Sequence, residues 1–261
     1  MSVEFVELPE RGRRYRMSRP VYLGDVDGND EMHLEALGRF LQDIATDDAY
    51  DSGLRELGGV WVVRRYDIRL THWPAFRDIL DLVTFCGGTG PCWAERRTSV
   101  MSGDTHVAEG VALWVFADQA GGRPLALGDQ FYEIYGEAAA GRRVSSRLVH
   151  AAPGPDVARR PWALRARDLD FLDHVNNARY LEAVEDELVA RLPKHQPVVA
   201  ELEFRGAVRR GEELELLSQV GTDSEEGEGE LLVWLVSGGE VRMSARVGTR
   251  FSPMPARPLP R

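Results

Sequence analysis

The stretch 167–186, RDLDFLDHVNNARYLEAVED, holds Asp168, Asp170 and His174, then Asn176, Asn177 and Tyr180. A carboxylate at Asp170 can take a proton from water or attack an electrophile itself. An imidazole four residues on can position that water or protonate a leaving group. Asn176 and Asn177 offer amides that bind a substrate or hold the loop. The same residue types have plain structural uses, since Asp caps helices and Asn and His populate turns. The segment up to Asn177 is too rich in turn formers for the middle of a strand. After it, Tyr180, Leu181, Val184, Leu188 and Val189 recur at three- and four-residue steps, which predicts a helix with one apolar face. The acid and the histidine therefore stand on a loop that leads into a buried helix, a common place for chemistry.

The chain has 261 residues, 43% hydrophobic and 28% charged. That suits a soluble globular protein with room for two units of about 120–130 residues or one large domain. A net charge of −10 argues against a nucleic-acid partner, which asks for a basic face. It does not favour an acidic protein partner either, because such a docking patch must be locally basic. Cys86 and Cys92 stand as C-x5-C; two cysteines make no disulfide framework, and reduced thiols are expected. No Cys-His cluster has zinc spacing, and no metal or cofactor is expected. The first residues have no apolar core of signal-peptide length, and no window approaches a membrane span, so a cytoplasmic protein is expected.

Met1 to Pro20 reads as a leader and first strand with Arg11, Arg13, Arg14, Arg16 and Arg19 clustered, either a solvated arm or a basic rim for an anionic ligand. Val21–Asp30 reads as a short strand and a loop. Met32–Tyr50 reads as a helix with Leu34, Leu37, Phe40, Leu41 and Ile44 on one face. Segments rich in Val, Ile, Trp and Phe follow from Val60 to Asp118, bounded by Gly, Pro and Asp, and read as strands. Residues 138–160 are poor in large apolar side chains and hold Gly and Pro, the mark of a linker. Beyond the second helix, VVAELEF, ELELLSQV and a closing Gly-Gly hairpin read as strands, with an acidic loop, GTDSEEGEGE, between them and a Pro-rich tail after them.

The chain contains itself twice. Asp25 and Asp27 fall on Asp168 and Asp170 at a spacing of 143 residues, and Leu37, Leu41 and Asp43 fall on Tyr180, Val184 and Asp186. Downstream, Ile68, Leu70 and Leu82 fall on Leu202, Phe204 and Leu216 at a spacing of 134. Each half reads as strand, loop, helix, then several antiparallel strands. The halves differ where chemistry would be: Glu31 stands at the place of His174 and His33 at that of Asn176.

The string D-x-D-x-x-x-H-V-N-N-x-x-Y resembles the leading loop and central helix of hotdog-fold thioesterases, and most closely the acyl-acyl-carrier-protein thioesterases. The resemblance implies an α+β fold of two tandem hotdog units, each a long central helix wrapped by a curved antiparallel sheet, paired into one continuous sheet. An N-terminal unit at 1–137 would bind the acyl chain. After the linker at 138–160, a C-terminal unit at 161–261 would carry the catalytic loop. It further implies hydrolysis of fatty acyl thioesters to free fatty acid, with Asp170 as base or nucleophile, His174 assisting, and Asn176 and Asn177 binding substrate. The implied partner is an acyl carrier protein with its acyl-phosphopantetheine arm, or acyl-CoA, and the implied protein is a monomer or homodimer.

The chain departs from the plant-type pattern. That pattern reads D-x-N-x-H, and Leu172 holds the Asn place. A following run resembling LEYRREC reads here Leu202-Glu203-Phe204-Arg205-Gly206-Ala207-Val208, so Ala207 and Val208 hold the Glu and Cys places. These losses favour an Asp-centred scheme, with a missing polar group supplied by the first unit from Gln42, Asp43, Asp47 or Asp48. They also keep open a non-catalytic acyl-binding module with an eroded site.

Overall fold

The apolar stripe of the first helix forms as its spacing predicts, over Leu34–Asp51 (α1), with Leu34, Leu37, Phe40, Leu41 and Ile44 all buried. The helix after the acid-rich loop runs over Asn177–Arg191 (α3) and buries Tyr180, Leu181, Val184 and Leu188. Val189, expected on the same face, is 65% exposed. It follows Leu188 directly, about 100° further round the helix, and so leaves the buried stripe. The computed structural model describes residues 6–119, 122–221 and 228–252. The first residues of the leader, most of the acidic loop and the tail beyond Ser252 lie outside the described residues.

Among the described residues ten strands form one sheet: β1 (Arg14–Pro20), β2 (Val60–Leu70), β3 (Ile79–Thr89), β4 (Trp93–Ser102), β5 (Thr105–Ala117), β6 (Ala158–Pro161), β7 (His195–Phe204), β8 (Leu214–Val220), β9 (Glu228–Ser237) and β10 (Glu240–Phe251). Their order is β1, β3, β4, β5, β2, β7, β10, β9, β8, β6, and each neighbouring pair is antiparallel. The second half of that order is the first half reversed. The halves join where β2 pairs with β7, with Asp67 opposite Glu201. Those two residues are 134 apart, the spacing at which the repeated strands superpose, so each is the other's counterpart. A local two-fold axis therefore passes between them. Pairing of β2 with β7 also covers the strand edge that either half alone would leave open.

Tyr66 and Ile68 on β2, and Ala200 and Leu202 on β7, join one core with both helices. The helices touch closely: a Cβ added at Gly38 would stand 2.2 Å from Leu181 Cδ1. No helix among the described residues is long and apolar enough to cross a membrane.

Several elements differ from the sequence reading. The first strand ends at Pro20, and a short 3-10 turn, Leu23–Asp25, replaces the strand expected from Val21. A further helix, Asp129–Ala139 (α2), buries Phe131 and Tyr135 against Phe116 and Leu54. Of the arginine cluster, Arg13 pairs with Asp48 and Asp51, and Arg19 pairs with Asp43. These two arginines thus tie the strand to α1 and form neither a free arm nor an open rim.

The segment after α2 crosses the sheet on the face turned away from α1 and α3. Trp93 Nε1 donates to the Val144 carbonyl at 2.9 Å, and Trp234 Nε1 donates to that of Ala151 at 2.9 Å. Between them the buried Glu203 carboxylate accepts the backbone N–H groups of Val149 and His150. The strap then supplies β6 as an edge strand against β8.

Both cysteines are free, Cys86 buried and Cys92 partly exposed. Burial pushes the Cys86 thiol up to about 11, so it is protonated at neutral pH.

Candidate functional site

The two leading loops share the same set of backbone-to-carboxylate contacts. Asp25 and Asp168 are buried, and each carboxylate accepts a backbone N–H three residues back, Tyr22 at 2.9 Å and Arg165 at 2.7 Å. Asp27 Oδ1 accepts the amides of Asn29 and Glu31 at 2.8 and 3.0 Å. Asp170 Oδ1 accepts those of Leu172 and His174 at 2.8 and 3.2 Å. Asp30 and Asp173 both take the left-handed conformation, φ 63 and 58, which Asp tolerates better than most residues. Contacts present in both loops make the fold; groups that only the second loop carries beside Asp170 are further candidates for function.

By that test the D-x-D pair is first of all a loop-forming device. Among the differences are Leu172 for Asn29, whose side-chain amide donates to Asp27 Oδ2 at 3.0 Å, His174 for Glu31, Asn176 for His33, Asn177 for Leu34 and Tyr180 for Leu37. Asp170 and His174 are neighbours, joined through the His174 amide rather than its ring. One oxygen of the fully buried Asp168, Oδ1, has no hydrogen-bond partner, whereas Asp25 Oδ1 meets Arg39 at 2.5 Å. Arg39 has Glu182 as its counterpart, and Glu182 is engaged by Arg165 and Arg167 instead.

Asn176 caps α3: its side-chain Oδ1 accepts the Ala178 backbone N–H at 3.0 Å, and the Asn176 backbone N–H donates to the Asp168 carbonyl at 2.9 Å. The Val175 amide donates to the Val208 carbonyl at 2.9 Å, which holds the loop on the strand side. Tyr180 lies beneath, and burial raises its hydroxyl far above the ordinary range, so it stays protonated. Asn177, the first residue of α3, turns elsewhere. It lines a narrow crevice in the first half of the chain, with Leu41, Gln42 and Ala45 of α1, Val63 and Tyr66 of β2, Arg96 and Thr98 of β4, and Gly110, Ala112 and Trp114 of β5. Asp170, His174 and Asn176 are not in its wall.

The local two-fold supplies a control for this crevice. Across the strands, Tyr66, Ala112 and Arg96 form a row, and their counterparts are Ala200, Val247 and Leu231. Ile68, Gly110 and Thr98 likewise match Leu202, Ala245 and Val233. The second-half residues are all apolar and no more than 2% exposed, a filled core, and Leu34 in the place of Asn177 is fully buried too. At these places the first half puts a guanidinium and two hydroxyls, Asn177 of the second half adds an amide, and space is left beside them.

Arg96 is held by Asp48, with Nη1 to Oδ2 at 2.6 Å. Asp48 is 1% exposed and also takes Arg13 and the Tyr135 hydroxyl. Asp43 is paired with Arg19 and Asp47 is exposed. Of the four first-helix residues named from sequence as donors of a missing polar group, Gln42 is the one in the crevice wall. On the opposite side, His33 Nδ1 meets Glu185 Oε1 at 3.0 Å, and that carboxylate holds the imidazole above its ordinary range.

Residues 12–135 match the model of the acyl-ACP thioesterase N-terminal domain, and residues 155–251 match that of the acyl-ACP thioesterase C-terminal domain. The uncharacterized protein Rv2001 of Mycobacterium tuberculosis is 24% identical over 215 residues, covering 82% of this chain and 86% of the relative. The chloroplastic oleoyl-acyl carrier protein thioesterase 1 of Arabidopsis thaliana is 24% identical over 228 residues, covering 76% of this chain and 61% of the plant protein. In structure, the 12:0-ACP thioesterase from Umbellularia californica superposes with a TM-score of 0.77 at 18% identity, over 92% of this chain and 94% of that one. The ten-stranded antiparallel sheet with its few helices is thus a thioesterase, hotdog-like fold.

Proposed function

The chain belongs to the acyl-ACP thioesterase family, whose members are thioester hydrolases, and on that premise we propose that it releases fatty acid from acyl-acyl carrier protein with Asp170 as general base. In this reading the chain is two tandem hotdog units, 1–137 for the acyl chain and 161–261 for the chemistry, joined by the strap at 138–160. The observation that carries it is Asn177. The helix that follows the Asp170–His174 loop sends its first side chain into a crevice of the other unit, and the mirror-related place is a filled core.

Asp170 takes a proton from water as the water oxygen bonds to the thioester carbon. The positive end of the α3 dipole faces the developing oxyanion. The C–S bond then breaks, and the thiolate leaves with a proton from His174. Asn176 fixes the helix start, and Asn177 meets the substrate where it passes into the crevice. The departures at Leu172, Ala207 and Val208 leave Asp170 and His174 as the groups in the second unit able to move protons at this loop.

The test is thiol release from acyl-carrier-protein and acyl-CoA thioesters of graded length, wild type beside Asp170→Asn. Turnover by wild type that the variant loses by about a hundredfold or more supports the assignment. Faster turnover of the CoA esters changes the partner and keeps the chemistry. Full activity in the variant removes Asp170 from the mechanism, and binding without turnover by wild type removes the hydrolase reading.

A further inference from the structure

We infer that Gln42, contributed by the first half of the chain, is a catalytic residue: its side-chain oxygen holds the attacking water in place of the amide lost at Leu172. The inference rests on the hydrolase reading above and adds a group from the other unit to its site.

Two observations place Gln42. It lines the same crevice as Asn177, across the contact of α1 with α3. The local two-fold places it independently. His33 and Glu185 meet at 3.0 Å, and their counterparts at 143 residues are Asn176 and Gln42. The axis that brings Glu185 to the start of α1 therefore brings Gln42 to the start of α3, where the Asp170 loop ends.

Residue types separate the two places. Glu185 and His33 form an ion pair, and Leu34 beside them is buried, so that end is closed. Gln42 shares its crevice with Asn177, which leaves an uncharged amide beside open space. A neutral amide suits this task. Its oxygen accepts a hydrogen bond from water at any working pH, and it neither competes with Asp170 for the proton nor repels the forming oxyanion. During attack, one water hydrogen goes to the Asp170 carboxylate. The other stays on the incoming oxygen, is held by Gln42 Oε1, and leaves in the carboxylic acid product. Leu172 cannot do this: it has no polar atom and is 54% exposed at the loop tip.

The experiment measures kcat, KM and the pH profile of Gln42→Leu and Gln42→Glu beside wild type, on the best thioester of the panel, with urea midpoints as a check of folding. Gln42→Leu is expected to lower kcat by about a hundredfold with little change in KM, the pattern for a group that acts in the transition state. Gln42→Glu is expected to lose activity as pH rises through the pKa of the new carboxyl, since the neutral acid keeps a carbonyl oxygen that accepts from water as the amide does, whereas the ionised form competes with Asp170 for the proton and repels the forming oxyanion. An active wild type whose kcat is unchanged in Gln42→Leu overturns this inference alone, as does a Gln42→Glu profile of wild-type shape. A wild type inactive on every thioester overturns the hydrolase reading and this inference with it.

Discussion

Replacing Asp67 by Asn should stabilise the protein in a pH-dependent way. Asp67 is 1% exposed, at the β2–β7 junction on the face covered by the strap. Its counterpart Glu201 stands directly opposite, and Arg69 Nε is 3.5 Å from Oδ1. Burial, with Glu201 adding to it and Arg69 and Arg65 working against it, pushes the Asp67 carboxyl from 3.8 up to about 6. A raised acid favours the folded state where it is protonated, and that advantage is lost as pH rises through about 6. Above pH 7 the shift costs about 3 kcal/mol, and at pH 4 roughly 0.5 kcal/mol. Asn cannot ionise, so Asp67→Asn should gain about 2 kcal/mol more over wild type at pH 8 than at pH 4. Any penalty for burying the amide is the same at both pH values and cancels in that difference. Urea unfolding followed by tryptophan fluorescence at the two pH values measures it. Equal effects at both would show that Asp67 titrates normally, and the electrostatic account of the junction would fail.

Gly38→Ala places a methyl where Leu181 already stands, so a loss of about 1–3 kcal/mol is expected, read as a lower urea midpoint. Glu203→Ala leaves the Val149 and His150 amides without their acceptor and removes the carboxylate partner of Arg205, at a cost of about 2–5 kcal/mol. Limited proteolysis should then cut the strap within residues 140–156 faster than in wild type, and an unchanged cleavage rate would show that the strap is held elsewhere.

The repeat, the two long helices and most of the strands are legible in the residue pattern alone. The spacing of 134 residues read from Ile68, Leu70 and Leu82 makes Asp67 and Glu201 counterparts, and the pairing of β2 with β7 sets them opposite each other. The repeat is legible because strand and helix faces are set by local periodicity, and duplicated units inherit the same pattern. The Asp168–Asp170–His174 loop was legible for the same reason, being local and rich in turn chemistry. α2 carries a helical step in Phe131, Tyr135 and Ala138, but the run is short and lies among turn signals. β6 has four residues inside a stretch with a linker's composition, and pairing with β8 makes it a strand. Tertiary structure alone decided that both acids of the loop serve the fold in each unit, and that Asn176 caps while Asn177 reaches across. It also decided that Gln42, not its acidic neighbours, enters the crevice. Those outcomes depend on how α1 and α3 meet about the two-fold axis, and that contact joins residues more than a hundred positions apart, beyond the reach of any local pattern.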